Sequence, residues 1–175
     1  RSNPALEPEE IPFHHEGQAE GADAIRSLRR DEQMRTRKVT VHGWNYANKG
    51  VLSENTPTVL EIGVDRDLER YRYPGEVKDA AFPKQWSQVA MEAEESSHLH
   101  YRGDGQVRLL TPGHTFILCN HDYAPYNSEY IVLSVVHQGR NNLTANAGAS
   151  DYNNTFTLQP HRDTVYRAPL HTPRG

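Results

Sequence analysis

The chain has 175 residues, of which 35% are hydrophobic and 24% charged, so it is long enough for one domain with a usable core. It contains nothing near the roughly 20 consecutive apolar residues of a membrane span, and no basic start followed by an apolar run that would indicate an export signal. A formal charge of −4 argues against a nucleic-acid partner, because sequence-independent phosphate binding needs clustered Lys and Arg.

Residues 1–35 are predicted to form a poorly periodic segment with one short helix. Prolines and acids interrupt residues 1–21. Further on, Ala24, Ile25 and Leu28 have the spacing of one face of a helix. We expect this segment to be the edge of a larger region.

A strand is predicted over residues 38–46. Its alternation places Val39, Val41 and Tyr46 inward. Gly43 is predicted to mark a bulge in this strand.

A turn and two extended segments are predicted next. Residues 48–50 have turn composition, and residues 58–64 form an apolar extended piece. Residues 68–73 alternate large apolar and charged side chains before a Pro-Gly break, which is typical of a half-exposed strand.

The clearest predicted helix runs from residue 83 to about residue 97. Its first turn contains Pro83, a position where proline is tolerated. The i, i+3, i+4 and i+7 pattern predicts an amphipathic helix that packs on the sheet. The predicted inward residues are Trp86, Val89, Ala90 and Ala93, and the predicted outward residues are Lys84, Gln88, Glu92 and Glu95.

A hairpin is predicted after this helix. Residues 98–102 alternate as a strand, Gly103, Asp104 and Gly105 have the composition of a tight turn, and residues 106–109 resume as a strand.

Three further strands are predicted to form an antiparallel meander. A Pro-Gly turn leads into an apolar strand within residues 109–118. Residues 129–137 are apolar on both faces, which is typical of a central strand. In the third strand, residues 151–158, Phe156 and Leu158 point one way. With few helices and many strands, the fold class is mainly β with a minor α component (α+β).

Candidate chemistry is sparse. His98 and His100 share a predicted strand face, but no third metal ligand follows at a recognisable spacing. His114, Cys119 and His121 lie close in sequence, yet Cys119 is on an apolar strand and is predicted to be a small buried side chain. We therefore predict no catalytic, cofactor-binding or metal-binding residues and no cofactor. The chain is predicted not to be an enzyme.

The order of several segments resembles the VgrG family, the spike proteins of the bacterial type VI secretion system, which are related to the hubs of contractile phage tails. The likeness covers about residues 39–175 and corresponds to the later part of the family's hub region. It is carried by residues 70–76 (RYRYPGE), 110–116 (LTPGHTF), 127–137 (NSEYIVLSVVH), 152–156 (YNNTF) and 166–169 (YRAP), with Pro173.

The resemblance implies a fold and a domain plan. It implies an antiparallel, barrel-like sheet of phage tail hub type with one helix packed on it. Residues 1–35 would be the edge of a larger hub region, residues 36–165 the β-rich hub domain, and residues 166–175 an exit segment towards an OB-like domain and a needle.

The resemblance also implies a structural function. The chain would belong to a homotrimeric spike that caps the tube of Hcp hexamers and punctures target envelopes, with a PAAR-type tip protein and effectors bound through other parts. It would be located in the bacterial cytoplasm before firing and then outside the cell or in the target cell. Two alternatives stay open: a baseplate hub of a contractile phage or prophage, and a small metal-binding or hydrolytic β domain that uses His98, His100 or His121.

Overall fold

A computed structural model of the chain describes residues 3–14, 23–60, 68–73, 77, 79, 81–140 and 151–161. The backbone contacts divide the chain into two compact units. Unit 1 comprises Arg1–Asp31 and Leu99–Asp163, and unit 2 comprises Glu32–His98 and Thr164–Gly175. The predicted boundaries at residues 35 and 165 stay predictions, and the exit segment lies outside the described residues.

The described elements are mostly strands. In chain order they are β1 (Ala5–Pro12), β2 (Ile25–Glu32), β3 (Lys38–Asn45), β4 (Gly50–Pro57), β5 (Glu69–Arg72), α1 (Ala81–Ser96), β6 (Leu99–Gly105), β7 (Thr115–Cys119), a 3-10 turn (Ala124–Tyr126), β8 (Glu129–Arg140) and β9 (Asp151–Pro160). The mainly β class with one α-helix is confirmed.

Unit 1 is built on one six-stranded sheet with the order β1-β7-β8-β9-β6-β2. The strands β7, β8 and β9 are sequential neighbours and run antiparallel, so the predicted meander is confirmed. The sheet is not purely antiparallel, because β1 pairs with β7 in the parallel direction.

The core of unit 1 lies on one face of this sheet. Alternation along β7, β8 and β9 directs large apolar side chains to that face, where they exclude water. The fully buried side chains include Ile25, Phe116, Leu118, Tyr130 and Leu158.

Two sequence predictions near the sheet edge are wrong. Residues 25–32 form strand β2 and not a helix, and Gly103 to Gly105 continue strand β6 and do not form a hairpin turn. The two errors have one cause, the close approach of β2 and β6. A Cβ on Gly105 would lie 2.6 Å from the carbonyl oxygen of Ala24, so only glycine allows this close contact. The pairing of β2 with β6 stabilises the strand more than the apolar spacing of β2 favours a helix.

The barrel-like closure is not confirmed. The edge strands β1 and β2 approach at one point, an isolated parallel bridge between Phe13 and Ile25 in which the N–H of His14 donates to the Ile25 carbonyl at 2.9 Å. One bridge does not close a barrel.

Unit 2 contains a three-stranded sheet with the order β4-β3-β5, and α1 packs on one of its faces. The predicted helix is confirmed within two residues of its ends. Among the described residues, the buried hydrophobic cluster between the helix and the sheet comprises Val39, Val41, Ala90 and Met91, and Trp86 packs against it.

Three predictions in unit 2 are wrong. Strand β4 covers Gly50–Pro57 instead of residues 58–64, where residues 58–60 are not in a strand and the remainder lies outside the described residues. Tyr46 is exposed because the chain turns directly after Asn45, whose Oδ1 accepts a hydrogen bond from the N–H of Asn48 at 2.9 Å. Gly43 is not at a bulge, since the β3–β4 register is unbroken.

Candidate interaction surfaces

The histidines of the metal or hydrolase alternative do not share a centre. His98 lies just before β6 with its Nδ1 2.7 Å from the carbonyl oxygen of Gln33. The Nδ1 of His121 accepts a hydrogen bond from the N–H of Tyr123 at 3.0 Å, and His100 lies in β6. Across the described ranges, no three His, Cys, Asp or Glu side chains are grouped to hold a metal ion.

Cys119 is a half-buried thiol at the end of β7. Its Sγ lies 3.5 Å from the carbonyl oxygen of Ile11 on the parallel neighbour β1. Burial raises the pKa of the Cys119 thiol, with a smaller contribution from the negative charge of Glu10. A raised pKa lowers the fraction of nucleophilic thiolate, so the environment is that of a structural cysteine.

Among the described residues, exposed large apolar side chains are concentrated in unit 2. This matters because a folded unit that exposes many such groups usually covers them against a partner. The exposed large apolar residues of unit 2 are Met34, Tyr46, Val51, Val59, Leu68, Tyr71, Tyr73 and Phe82, whereas those of unit 1 are Leu109, Tyr123 and Val136.

Part of this exposure forms a continuous surface on the sheet of unit 2, on the side away from α1. We call His42, Trp44, Val51 and Tyr71 the open face. Trp44 is paired with Val51 across β3 and β4, and the rings of His42 and Tyr71 lie 5.3 Å apart. Val51 is 60% exposed and Tyr71 57% exposed. The open face therefore presents aromatic and aliphatic surface, which is typical of the centre of a protein interface.

Unit 1 presents a different surface, a polar groove on the face of its sheet. Asp31 is held between two guanidinium groups, at 3.0 Å from the Nε of Arg29 and 3.3 Å from the Nε of Arg102. Ser27 donates a hydrogen bond to Asp104 on the neighbouring strand. Opposite charges compensate each other here, so the groove is a stabilised outer sheet face and not a strongly charged patch.

No helix in the described part of the chain combines the length and the apolar character needed to cross a bilayer.

Sequence reasoning missed both surfaces. The open face depends on β4, whose sequence GVLSENTP lacks a clear alternation. The groove depends on β2, where Ser27, Arg29 and Asp31 follow a period-two pattern but the apolar residues have the spacing of a helix.

Comparison with known proteins agrees with this architecture. The family described as "Phage tail baseplate hub (GPD)" matches residues 1–143. Two relatives from Pseudomonas aeruginosa are named as type VI secretion system spike proteins: VgrG4b is 28% identical over 154 residues, and VgrG5 is 29% identical over 120 residues. These alignments cover 80% and 62% of this chain but only 19% and 15% of the relatives.

Two solved structures share the fold. The prophage MuSo2 43 kDa tail protein from Shewanella oneidensis matches with a TM-score of 0.60 and 12% identity over 91% of this chain and 43% of its own. A tail protein from Neisseria meningitidis matches with a TM-score of 0.55 and 11% identity over 86% of this chain and 44% of its own. At these identities the likeness concerns the fold alone.

The chain has a fold that is shared with phage-like tail proteins. The chain belongs to the phage tail baseplate hub (GPD) family. The resemblance to VgrG is confirmed, since relatives in this comparison carry that name, and the chain spans about a fifth or less of their length.

Proposed function

We propose that this chain is a hub module of a contractile injection spike and performs no chemical step of its own. The observation that carries the proposal is the hub-family match over residues 1–143, together with relatives named as VgrG spike proteins. A module of this kind acts through surfaces that hold neighbouring subunits in register under load.

The proposed assembly is a homotrimer that caps the Hcp tube. The PAAR-type tip protein and effectors would bind other parts of the full-length protein. The protein would be made in the cytoplasm and released from the cell on firing. The exposed apolar side chains of unit 2 support a protein partner, because such surface is stabilised when it leaves water.

A phage or prophage baseplate hub is a second candidate. It is favoured by the family description and by the two solved tail proteins that share the fold. Both candidates predict the same subunit contacts. The genes that neighbour the coding sequence distinguish the two candidates. Sheath and tube genes of secretion type are expected beside the gene of a secretion spike, whereas capsid genes are expected beside the gene of a phage hub.

The oligomeric state of the full-length protein tests the proposal. Native mass spectrometry should show a trimer at micromolar concentration. The variant Tyr71→Asp, which places a charge on the open face, should weaken assembly by about tenfold or more. Tyr123→Asp is the matched control, since Tyr71 is 57% and Tyr123 58% exposed and each ring packs against one neighbouring ring.

Three outcomes would contradict the proposal. A full-length protein that stays monomeric at high concentration excludes the hub function. The hydrolytic alternative is supported if the protein turns over a small ester and His121→Ala loses this activity. The metal-binding alternative is supported if the purified protein contains stoichiometric zinc or iron.

A further inference from the structure

Strand β8 is paired on both sides for only part of its length. On the β7 side, the pairs run from Glu129 to Ile131, and the last hydrogen bonds join Val132 to the turn before β7. On the β9 side, pairing continues to Arg140. In the described part of the chain, residues 134–140 therefore pair with β9 alone, and we call their other side the β8 edge.

The β8 edge has part of the usual protection against pairing, a register shift between Val132 and Ser134 at its start and Arg140 at its end. Between them it contains neither proline nor lysine, and Val136 is 56% exposed. A row of alternating backbone donors and acceptors is complementary to another extended chain. The occupant that satisfies this edge is thus a β-strand.

Strand β4 has the matching geometry. It is the edge strand of its sheet, and its register against β3 is unbroken from Gly50 to Pro57. Its side chains near the middle are polar or acidic, and it carries the exposed Val51. Among the strands that the structure describes, β5 is too short to cover the β8 edge, and β1 and β2 approach each other through the Phe13 bridge.

We propose that β4 of one copy of this chain pairs with the β8 edge of the next copy. Strand β4 has eight residues and the β8 edge has seven, so residues 51–57 can cover the whole β8 edge. When they overlap fully, Glu54 lies opposite His137 in either strand direction, because both residues are central. Pro57 then falls at the end of the added strand, where the missing N–H has the least effect.

This contact is heterologous, since it joins two different surfaces of the same chain. Heterologous contacts generate rings when the rotation closes, and a trimer is one such ring. The inference therefore rests on the proposed assembly and specifies which strands form it. It also covers two strand edges, that of β4 and the β8 edge, with a single contact.

Cross-linking in trans tests the pairing. In a full-length Cys119→Ser background, one copy carries Glu54→Cys and the other His137→Cys, and the mixture is oxidised. Directly opposed residues of neighbouring strands are close enough for a disulfide, so the yield should exceed that of the control by roughly tenfold. The control mixture combines Glu54→Cys with Glu7→Cys, another exposed acidic position on a strand.

The outcomes separate this inference from the proposed function. The β4–β8 pairing is overturned if the trimer is intact but cross-linking stays at the control level. It is also overturned if two copies of His137→Cys cross-link with each other. Neither result contradicts the trimer. A monomer overturns both. A charge exchange supplies a second measurement: Glu54→Lys and His137→Glu should each weaken association by about two- to fivefold, and their combination should restore it.

Discussion

The substitution Gly103→Ala tests the explanation for the β2–β6 approach. A Cβ at this position would point at the backbone oxygen of Ser27 on one side and lie 2.8 Å from the Cε2 atom of Phe156 on the other. Because Gly103 does not have a left-handed backbone, any loss of stability must come from this crowding. The contact with Ser27 is the decisive one, since a backbone oxygen cannot move to another rotamer.

The expected loss is large for a single methyl group. Inserting an extra methyl group at a closely packed site costs about 1–3 kcal/mol, and we expect the upper half of that range here because the Ser27 oxygen belongs to the backbone. For a chain of this size each kcal/mol lowers the melting temperature by about 2–4 °C. We expect Gly103→Ala to lower the free energy of unfolding by about 2–3 kcal/mol and the melting temperature by roughly 5–10 °C.

Gly139→Ala is the matched control, because it adds the same methyl group in another strand of the same sheet. Its Cβ would lie 3.7 Å from the Cδ2 atom of Tyr152, which is ordinary van der Waals contact. The control should be neutral or gain about 0.4–1 kcal/mol through lower entropy of the unfolded chain. Urea titrations followed by circular dichroism measure both variants. Equal stability of the two would refute the crowding argument.

Three further predictions concern pH and packing. Burial raises the pKa of Tyr130 to about 12. The stability that the neutral hydroxyl of Tyr130 contributes is therefore complete below about pH 10 and is lost as the pH rises towards 12. The variant Tyr130→Phe should flatten the fall in the free energy of unfolding over that range. The pKa of Glu69 is lowered mainly by the hydrogen bond from the hydroxyl of Thr40. The stability that the charged Glu69 contributes is therefore present above the usual carboxyl pKa and is lost as the pH falls. Glu69→Gln should reduce the loss of stability on acidification, and an unchanged acid profile of this variant would contradict the prediction. Leu158→Ala removes a fully buried side chain and should cost about 2–5 kcal/mol, whereas Val136→Ala, at an exposed position, should change the same urea midpoint little.

The part of the fold with strong periodicity could be predicted from the sequence. In β9 the alternation of Phe156 and Leu158 against Thr155 and Thr157 matches the burial in the structure. Helix α1 could also be predicted from its pattern, because Ala90 and Ala93 have a helical spacing and are buried in the structure. In these elements the local pattern and the tertiary environment favour the same structure, so the pattern alone is sufficient.

The remaining elements depend on contacts distant in sequence. Strand β4 is mostly exposed, so its side chains are free to be polar, and only the ladder to β3 makes it a strand. Strand β2 has helical apolar spacing, and its approach to Gly105 is visible only when β6 is placed beside it. An interface has the same property: the open face is built from residues on three strands, and no single stretch of sequence identifies it.

The two units differ in how completely each is stabilised by its own core. Unit 1 buries aromatic and aliphatic side chains from most of its strands, and Tyr101 packs edge-on against Tyr126 and Tyr130. Among the described residues of unit 2, the main buried cluster comprises Val39, Val41, Ala90 and Met91 with Trp86 packed against it, while several tyrosines remain exposed. Apolar area left in water contributes nothing to folding until a partner covers it, so unit 2 has more to gain from assembly than unit 1. Folding and assembly would then be coupled most strongly through unit 2, which is the behaviour expected of a hub module whose final rigidity depends on its neighbours.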